Sequence, residues 1–249
     1  RDDVESRGLG DVYKRQDYTW LNPSKADESK VKARLTKIWE QIASRFKDYD
    51  EHLLFEGMNE PRIVGGQDEW TGGTEEEREV INNLFAAFVE TVRKSGGNNA
   101  TRSLIITGHA AAIDEKAVKG IKVPDDDHII VSIHAYAPYS FALDQNGTST
   151  FSDSDKSELD KNFDFLKSTF IDKGIPVIIG EFGSLNKDNT SDRVKHMEYY
   201  VSAAKARGIT CFIWDNGVKD GEGAFGLLNR KDGSWYFKDI VDAAMNGLE

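Results

Sequence analysis

Apolar residues along this chain recur in two rhythms that take turns. Helical spacing appears first over 27–48, where Val31, Leu35, Ile38, Trp39, Ile42 and Phe46 form one stripe. A strand follows in HLLFEGM and ends at Asn59-Glu60, because Pro61 lacks an N–H and cannot extend a central strand. A second helix opens with the capping box Thr74-x-x-Glu77, carries Val80, Leu84, Phe85, Phe88 and Val92, and stops at Gly96-Gly97. The strand SLIITGHA and a short helix over 114–119 lead to the strand HIIVSIHAY. The polar stretch 139–153 reads as a surface loop. A helix over 155–173 then uses Leu159, Phe163, Leu166 and Phe170, and the strand PVIIGEFGS follows it. A helix over 191–207, with Val194, Met197, Val201 and Ala204 inward, precedes the strand ITCFIWDNG, and a last helix covers 236–245.

Near-continuous apolar strands joined by helices predict an α/β fold with a parallel sheet covered on both faces. Five such strands fit either an open doubly wound sheet or part of a (β/α)8 barrel. The first strand is not followed by Gly-x-Gly-x-x-Gly or a P-loop, which weakens a nucleotide-binding reading. The strand ends favour the barrel. Each closes on polar or aromatic residues: Asn59-Glu60, Gly108-His109, His134-Ala135-Tyr136, Glu181 and Trp214-Asp215-Asn216. A rim of such residues at the C-terminal ends of strands is where a barrel builds its active site.

Charge narrows the partners. The formal net charge of -11 over 249 residues argues against an electrostatic grip on nucleic acid or an anionic membrane. The single cysteine, Cys211, excludes an internal disulfide framework and lies in an apolar strand, where it reads as a buried, inert thiol. The opening RDDVESRGLGDVYKRQ is polar and aperiodic and switches abruptly at Asp17, so 1–16 reads as a non-native or disordered tail before a single domain over 17–249.

Strand alternation places Glu56, Met58 and Glu60 on one face, and likewise His134 with Tyr136 and Phe212 with Trp214. If those faces point into a barrel mouth, Glu60 and Glu181 form a rim pair. Two carboxylates flanking a substrate are the minimum for hydrolysing a glycosidic bond, since one protonates the leaving oxygen while the other attacks the sugar carbon. His134 and Tyr136 can hydrogen-bond the ionised carboxylate or the sugar. Trp214 suits either a sugar-stacking floor or a core aromatic. Glu56, sent inward below Glu60, calls for an arginine partner that no strand supplies.

The motifs FEGMNEP, SIHAY, IIGEFGS and FIWDNG, in that order, resemble glycoside hydrolase family 5, and most of all its bacterial endoglucanases; DYTWLNP resembles the segment after that family's third strand. The resemblance covers the chain from Asp17 to its end. It implies a (β/α)8 TIM barrel of which strands 4 to 8 are present and strands 1 to 3 are missing, that is, a C-terminal fragment. It implies Glu60 as acid/base, Glu181 as nucleophile, Asn59 on the sugar 2-hydroxyl, His134 and Tyr136 beside them, and Trp214 as platform at the cleaved sugar. The implied reaction is retaining hydrolysis of β-1,4-glucan, or of xylan, mannan, xyloglucan or mixed-linkage glucan, with no cofactor. A secreted monomer acting on polysaccharide is expected, since cellulose cannot enter a cell. A metal-dependent hydrolase using His109, His134, Glu181 and Asp215, and a sugar-binding degenerate barrel, are the rival readings.

Overall fold

The first helical stripe becomes helix α1 (Glu28–Phe46) in the computed structural model, which describes residues 18–249. The polar opening 1–16 and the boundary at Asp17 lie outside the described residues. The described chain divides into two compact units, the first ending at His128 and the second running Ile129–Glu249.

In the first unit, α1 is followed by strand β1 (Phe55–Glu56), helix α2 (Glu75–Lys94), strand β2 (Leu104–Ile106) and helix α3 (Glu115–Lys119). β1 and β2 run parallel, with Phe55 opposite Leu104 and Glu56 opposite Ile105. The capping box forms as read: Glu77 N donates to Thr74 Oγ1 at 3.2 Å, and Thr74 N donates to Glu77 Oε2 at 2.6 Å. Two otherwise orphaned amides are thereby satisfied, which stabilises the helix start by about 1 kcal/mol. The Trp39 ring packs on Phe55 and Phe88, with centroids 5.4 and 4.5 Å away, and its N–H donates to Gly57 O at 3.3 Å. A Cβ at Gly57 would lie only 2.8 Å from the Phe88 ring, so a larger residue there would push the chain off this wall. The result is a firm seat directly ahead of Asn59-Glu60.

The second unit contains strand β3 (Ile129–His134), helices α4 (Tyr139–Ala142) and α5 (Asp153–Thr169), strand β4 (Val177–Phe182), helix α6 (Thr190–Lys205), strand β5 (Thr210–Ile213) and helix α7 (Lys238–Asn246). β4 pairs in parallel with β3 on one side and β5 on the other. Behind it Phe182 stacks on Tyr200 at 4.2 Å, Phe163 meets the Tyr200 ring edge-on at 5.0 Å, and Tyr200 O–H donates to Ala135 O at 2.8 Å. This anchors the chain one residue before Tyr136.

Three expectations need correction. The stretch 139–153 is more than a surface loop: Phe141, Ala142 and Phe151 are buried, and both phenylalanines pack against His196 at 5.1 and 5.2 Å. The inward face of α6 is broader than the apolar stripe, because Arg193, His196 and Tyr200 are also buried while Val194 is only half-buried. Burial holds the His196 imidazole down at a pKa of about 4, against the weaker pull of its hydrogen bond to Ala137 O. Lastly, β5 is apolar yet poorly covered, with Phe212 48% and Ile213 37% exposed. Among the described residues it is hydrogen-bonded to a strand on one side only. Cys211 is half-buried instead of enclosed, though burial still pushes its thiol up to about 12 and keeps it in the unreactive protonated form.

Candidate active site

The end of β4 in the second unit is shaped by an irregularity. Ile133 is opposite Ile179, but His134 is opposite Glu181, so Gly180 is an extra residue on β4. Gly180 packs so closely on Ser132 that any Cβ would run into the Ser132 hydroxyl and lie 3.2 Å from the His134 ring. The bulge brings the Glu181 carboxylate to the end of β3. There Tyr136 O–H donates to Glu181 Oε2 at 2.9 Å, and His134 Nδ1 lies 3.6 Å from the same oxygen. The His134 and Glu181 side chains are only 2% and 9% exposed. A hydrogen bond in so dry a place is strong and directional. The Tyr136 ring is itself wedged edge-on against Phe225 at 5.5 Å.

Trp214 stands just past β5, its main-chain N donating to Phe182 O at 2.8 Å, and the residue is 37% exposed. The two residues after it are loop ties. Asp215 accepts Gly217 N on Oδ1 and Leu228 N on Oδ2, at 2.7 and 2.9 Å, while Asn216 Oδ1 accepts Val218 N and Phe225 N. Asp215, a possible metal ligand in the sequence reading, thus has both oxygens held by main-chain amides.

In the first unit Asn59 and Glu60 are half-buried, just beyond β1. β1 is only two residues long, so strand alternation does not extend to Glu60. Glu56 is likewise half-buried and not enclosed. The loop is fixed by other means: Ala110 N donates to Pro61 O at 2.9 Å, from a turn in which Ala110 and Ala111 have φ of 52° and 50°. Left-handed backbone at two alanines costs about 1 kcal/mol or more each, so the surrounding structure holds this turn against its preference. His109, in the same turn, is buried, which lowers its pKa and keeps it neutral; Glu77 Oε2 lies 3.9 Å away.

The residue that sequence reasoning missed is Arg62. Its Nη1 lies 3.2 Å from Glu60 Oε2 and donates to Glu60 O at 3.0 Å and Tyr18 O–H at 2.8 Å, while Nε donates to Glu69 Oε1 at 2.9 Å. Tyr18 and Trp70 present their rings to the guanidinium, with centroids 4.8 and 4.4 Å from Cζ. Burial works against the charge, but the bond to Glu69 and the nearby Tyr18 and Glu60 outweigh it and raise the Arg62 pKa above its usual value. The Arg62 hydrogen bond, then the Gly65 amide, hold Glu69 below the usual carboxylate range. An arginine two residues past a glutamate was the only available signal, and it does not reveal two aromatic neighbours, Tyr18 from the segment before α1 and Trp70 from the loop after β1.

Comparison with known proteins gives these two clusters a context. The model of the cellulase family, glycosyl hydrolase family 5, matches residues 11–220. The chain belongs to glycosyl hydrolase family 5. Endoglucanase A of Clostridium longisporum is 50% identical over 236 residues, covering 92% of this chain and 46% of that protein. The chain spans about half, or less, of the length of the first curated relatives it matches. Among solved family 5 structures, a broad-specificity endoglucanase of the same species is 48% identical with a TM-score of 0.90, covering 93% of this chain and 68% of that one. A xyloglucan-specific endo-β-1,4-glucanase from a metagenomic library, solved with cellotriose, is 44% identical with a TM-score of 0.88, covering 91% and 68%. Family 5 proteins are (β/α)8 barrels, and the parallel strand-helix alternation in each unit is that architecture's repeating element.

Proposed function

We propose that this chain carries the catalytic carboxylates of a retaining endo-β-1,4-glucanase. The observation that carries the reading is the Glu181 carboxylate: nearly buried, at a strand end, and oriented by the Tyr136 hydroxyl. Such a group is short of water and aimed by the Tyr136 donor, which suits a nucleophile placed to meet an anomeric carbon. Glu60, partly exposed and gripped by Arg62, is the acid/base.

In the first step a Glu181 oxygen bonds to the anomeric carbon as the bond from that carbon to the bridging oxygen breaks. Glu60 gives its proton to the departing oxygen. In the second step Glu60 takes a proton from water, the water oxygen bonds to the anomeric carbon, and Glu181 is released. Net retention results, and the reaction calls for carboxyl groups roughly 5 to 5.5 Å apart. Asn59 binds the 2-hydroxyl and Trp214 lies under the cleaved sugar. In this reading the five strands are the fourth to eighth of the family barrel, given the order of the motifs that end them. A polymeric substrate puts the enzyme's work outside the cell.

Xyloglucan is the second reading for substrate, supported by the xyloglucan-specific relative of near-equal structural similarity. Assays of the full-length protein on carboxymethyl-cellulose, barley glucan and xyloglucan, beside Glu60→Gln and Glu181→Gln, test both. Loss of turnover in each variant, with β-configured first product by NMR, is the expected result. Inverted product or full activity in either variant contradicts it.

A further inference from the structure

Consecutive residues in the loop after β5 are pinned by their main chain. Ala224 O accepts Asn186 N at 2.8 Å, Phe225 N donates to Asn216 Oδ1 at 3.2 Å, and Gly226 N donates to Val218 O at 2.8 Å. Asn216 also ties the loop across its middle, donating through Nδ2 to Gly223 O at 2.8 Å. What this loop carries inward is Phe225, only 7% exposed. Its ring meets Tyr136 edge-on with centroids 5.5 Å apart, and it lies so near the chain after β4 that a Cβ on Gly183 would be 3.3 Å from it. A glycine two residues past Glu181 makes room for the ring. Tyr136 itself is half-buried, so it depends on such a neighbour to keep its rotamer.

We propose that Phe225 is a positioning residue for the nucleophile, acting through Tyr136. The proposal rests on the reading of Glu181 as nucleophile. Tyr136 O–H donates to Glu181 Oε2 at 2.9 Å, and the direction of that bond is set by the torsions of the tyrosine side chain. An edge-on aromatic neighbour fixes those torsions, since the pair is favourable at this spacing and a rotated ring would run into it. The linkage joins three strand ends. The pinned loop after β5 holds Phe225, Phe225 holds the tyrosine just past β3, and the tyrosine holds the carboxylate on β4. Phe225 brings no polar side-chain atom to the reaction. Its contribution is to keep a donor in place before substrate arrives, which spares the attacking oxygen a reorganisation on the way to the transition state.

The test is a double-mutant cycle in the full-length protein, read by the rate at which a dinitrophenyl 2-deoxy-2-fluoro-cellobioside labels Glu181. That rate reports attack by the carboxylate without the later steps. Phe225→Leu is expected to slow labelling about three- to tenfold, the effect of one aromatic pair, but less than about twofold when Tyr136→Phe is already present. On carboxymethyl-cellulose kcat is expected to fall alongside, with KM staying within about twofold. Asn216→Ala, which releases the Phe225 amide and leaves the ring, should show the same dependence on Tyr136 and serves if the leucine variant does not fold. An equal loss in both backgrounds, or none in either, makes Phe225 a packing residue and overturns the proposal. An unsubstituted protein that is never labelled on Glu181 overturns the nucleophile reading and the proposal with it, so the two failures are distinguishable.

Discussion

The Tyr136 hydroxyl donates to Glu181 Oε2 at 2.9 Å, and the same oxygen faces His134 Nδ1 at 3.6 Å. One carboxylate oxygen is thereby fixed by the Tyr136 hydroxyl just past β3, with the ring of His134, the last residue of β3, beside it. Removing the hydroxyl leaves the fold intact but lets the carboxylate swing. A hydrogen bond to a charged group contributes about 1.5–3 kcal/mol, so Tyr136→Phe is expected to lower kcat about 10- to 100-fold while leaving the melting temperature within a few degrees. Steady-state kinetics beside a thermal melt check both parts.

Gly180 has no room for a methyl group between Ser132 and His134. Gly180→Ala is expected to destabilise the protein by about 1–3 kcal/mol and to displace Glu181 from Tyr136. Urea denaturation reads the first effect and activity the second; a stable, fully active variant would show that the bulge does not position the carboxylate.

Arg62 neutralises two partly buried carboxylates, Glu60 and Glu69. Arg62→Met is expected to cost about 1–3 kcal/mol of stability because both are left without their cation. Arg62→Lys keeps the charge but not the branched geometry and should recover only part, read from denaturation midpoints.

Much of this architecture was legible in the sequence, and the gaps have physical causes. The capping box at Thr74 and Glu77, the stripe on α1 and the position of each strand follow from periodicity and local chemistry. Arg62, Tyr18 and Trp70 do not, because loop contacts leave no periodic signature. On α6, Arg193 and His196 stand outside the apolar stripe of Val194, Met197, Val201 and Ala204, and polar residues carry no periodic sign of burial; Arg193 is nonetheless buried with its guanidinium over the Phe237 ring at 4.8 Å, and burial lowers its pKa to about 10. Phe212 and Ile213 err the other way, since apolar composition says nothing of whether a second strand or helix covers a strand.

His196 offers a pH signature. Its pKa is about 4 in the folded chain, against about 6.5 unfolded. Below pH 6.5 the unfolded state binds a proton that the folded state refuses, so stability is complete above 6.5 and falls as pH drops toward 4. The linked loss is roughly 3 kcal/mol. Melting temperatures across this window should fall, and His196→Gln, which keeps a donor for Ala137 O, should flatten that part of the curve. A slope unchanged by the substitution would assign it to other groups.

The most direct measurement is covalent trapping of the nucleophile. A 2-deoxy-2-fluoro-cellobioside with a good leaving group slows the second step and lets the glycosyl-enzyme accumulate. Peptide mass spectrometry of the labelled full-length protein should find one 2-deoxy-2-fluoro-cellobiosyl adduct, on Glu181, absent from Glu181→Gln. An adduct on any other residue, or turnover of β-glucan with inversion and no adduct, would contradict the assignment of Glu181 as nucleophile.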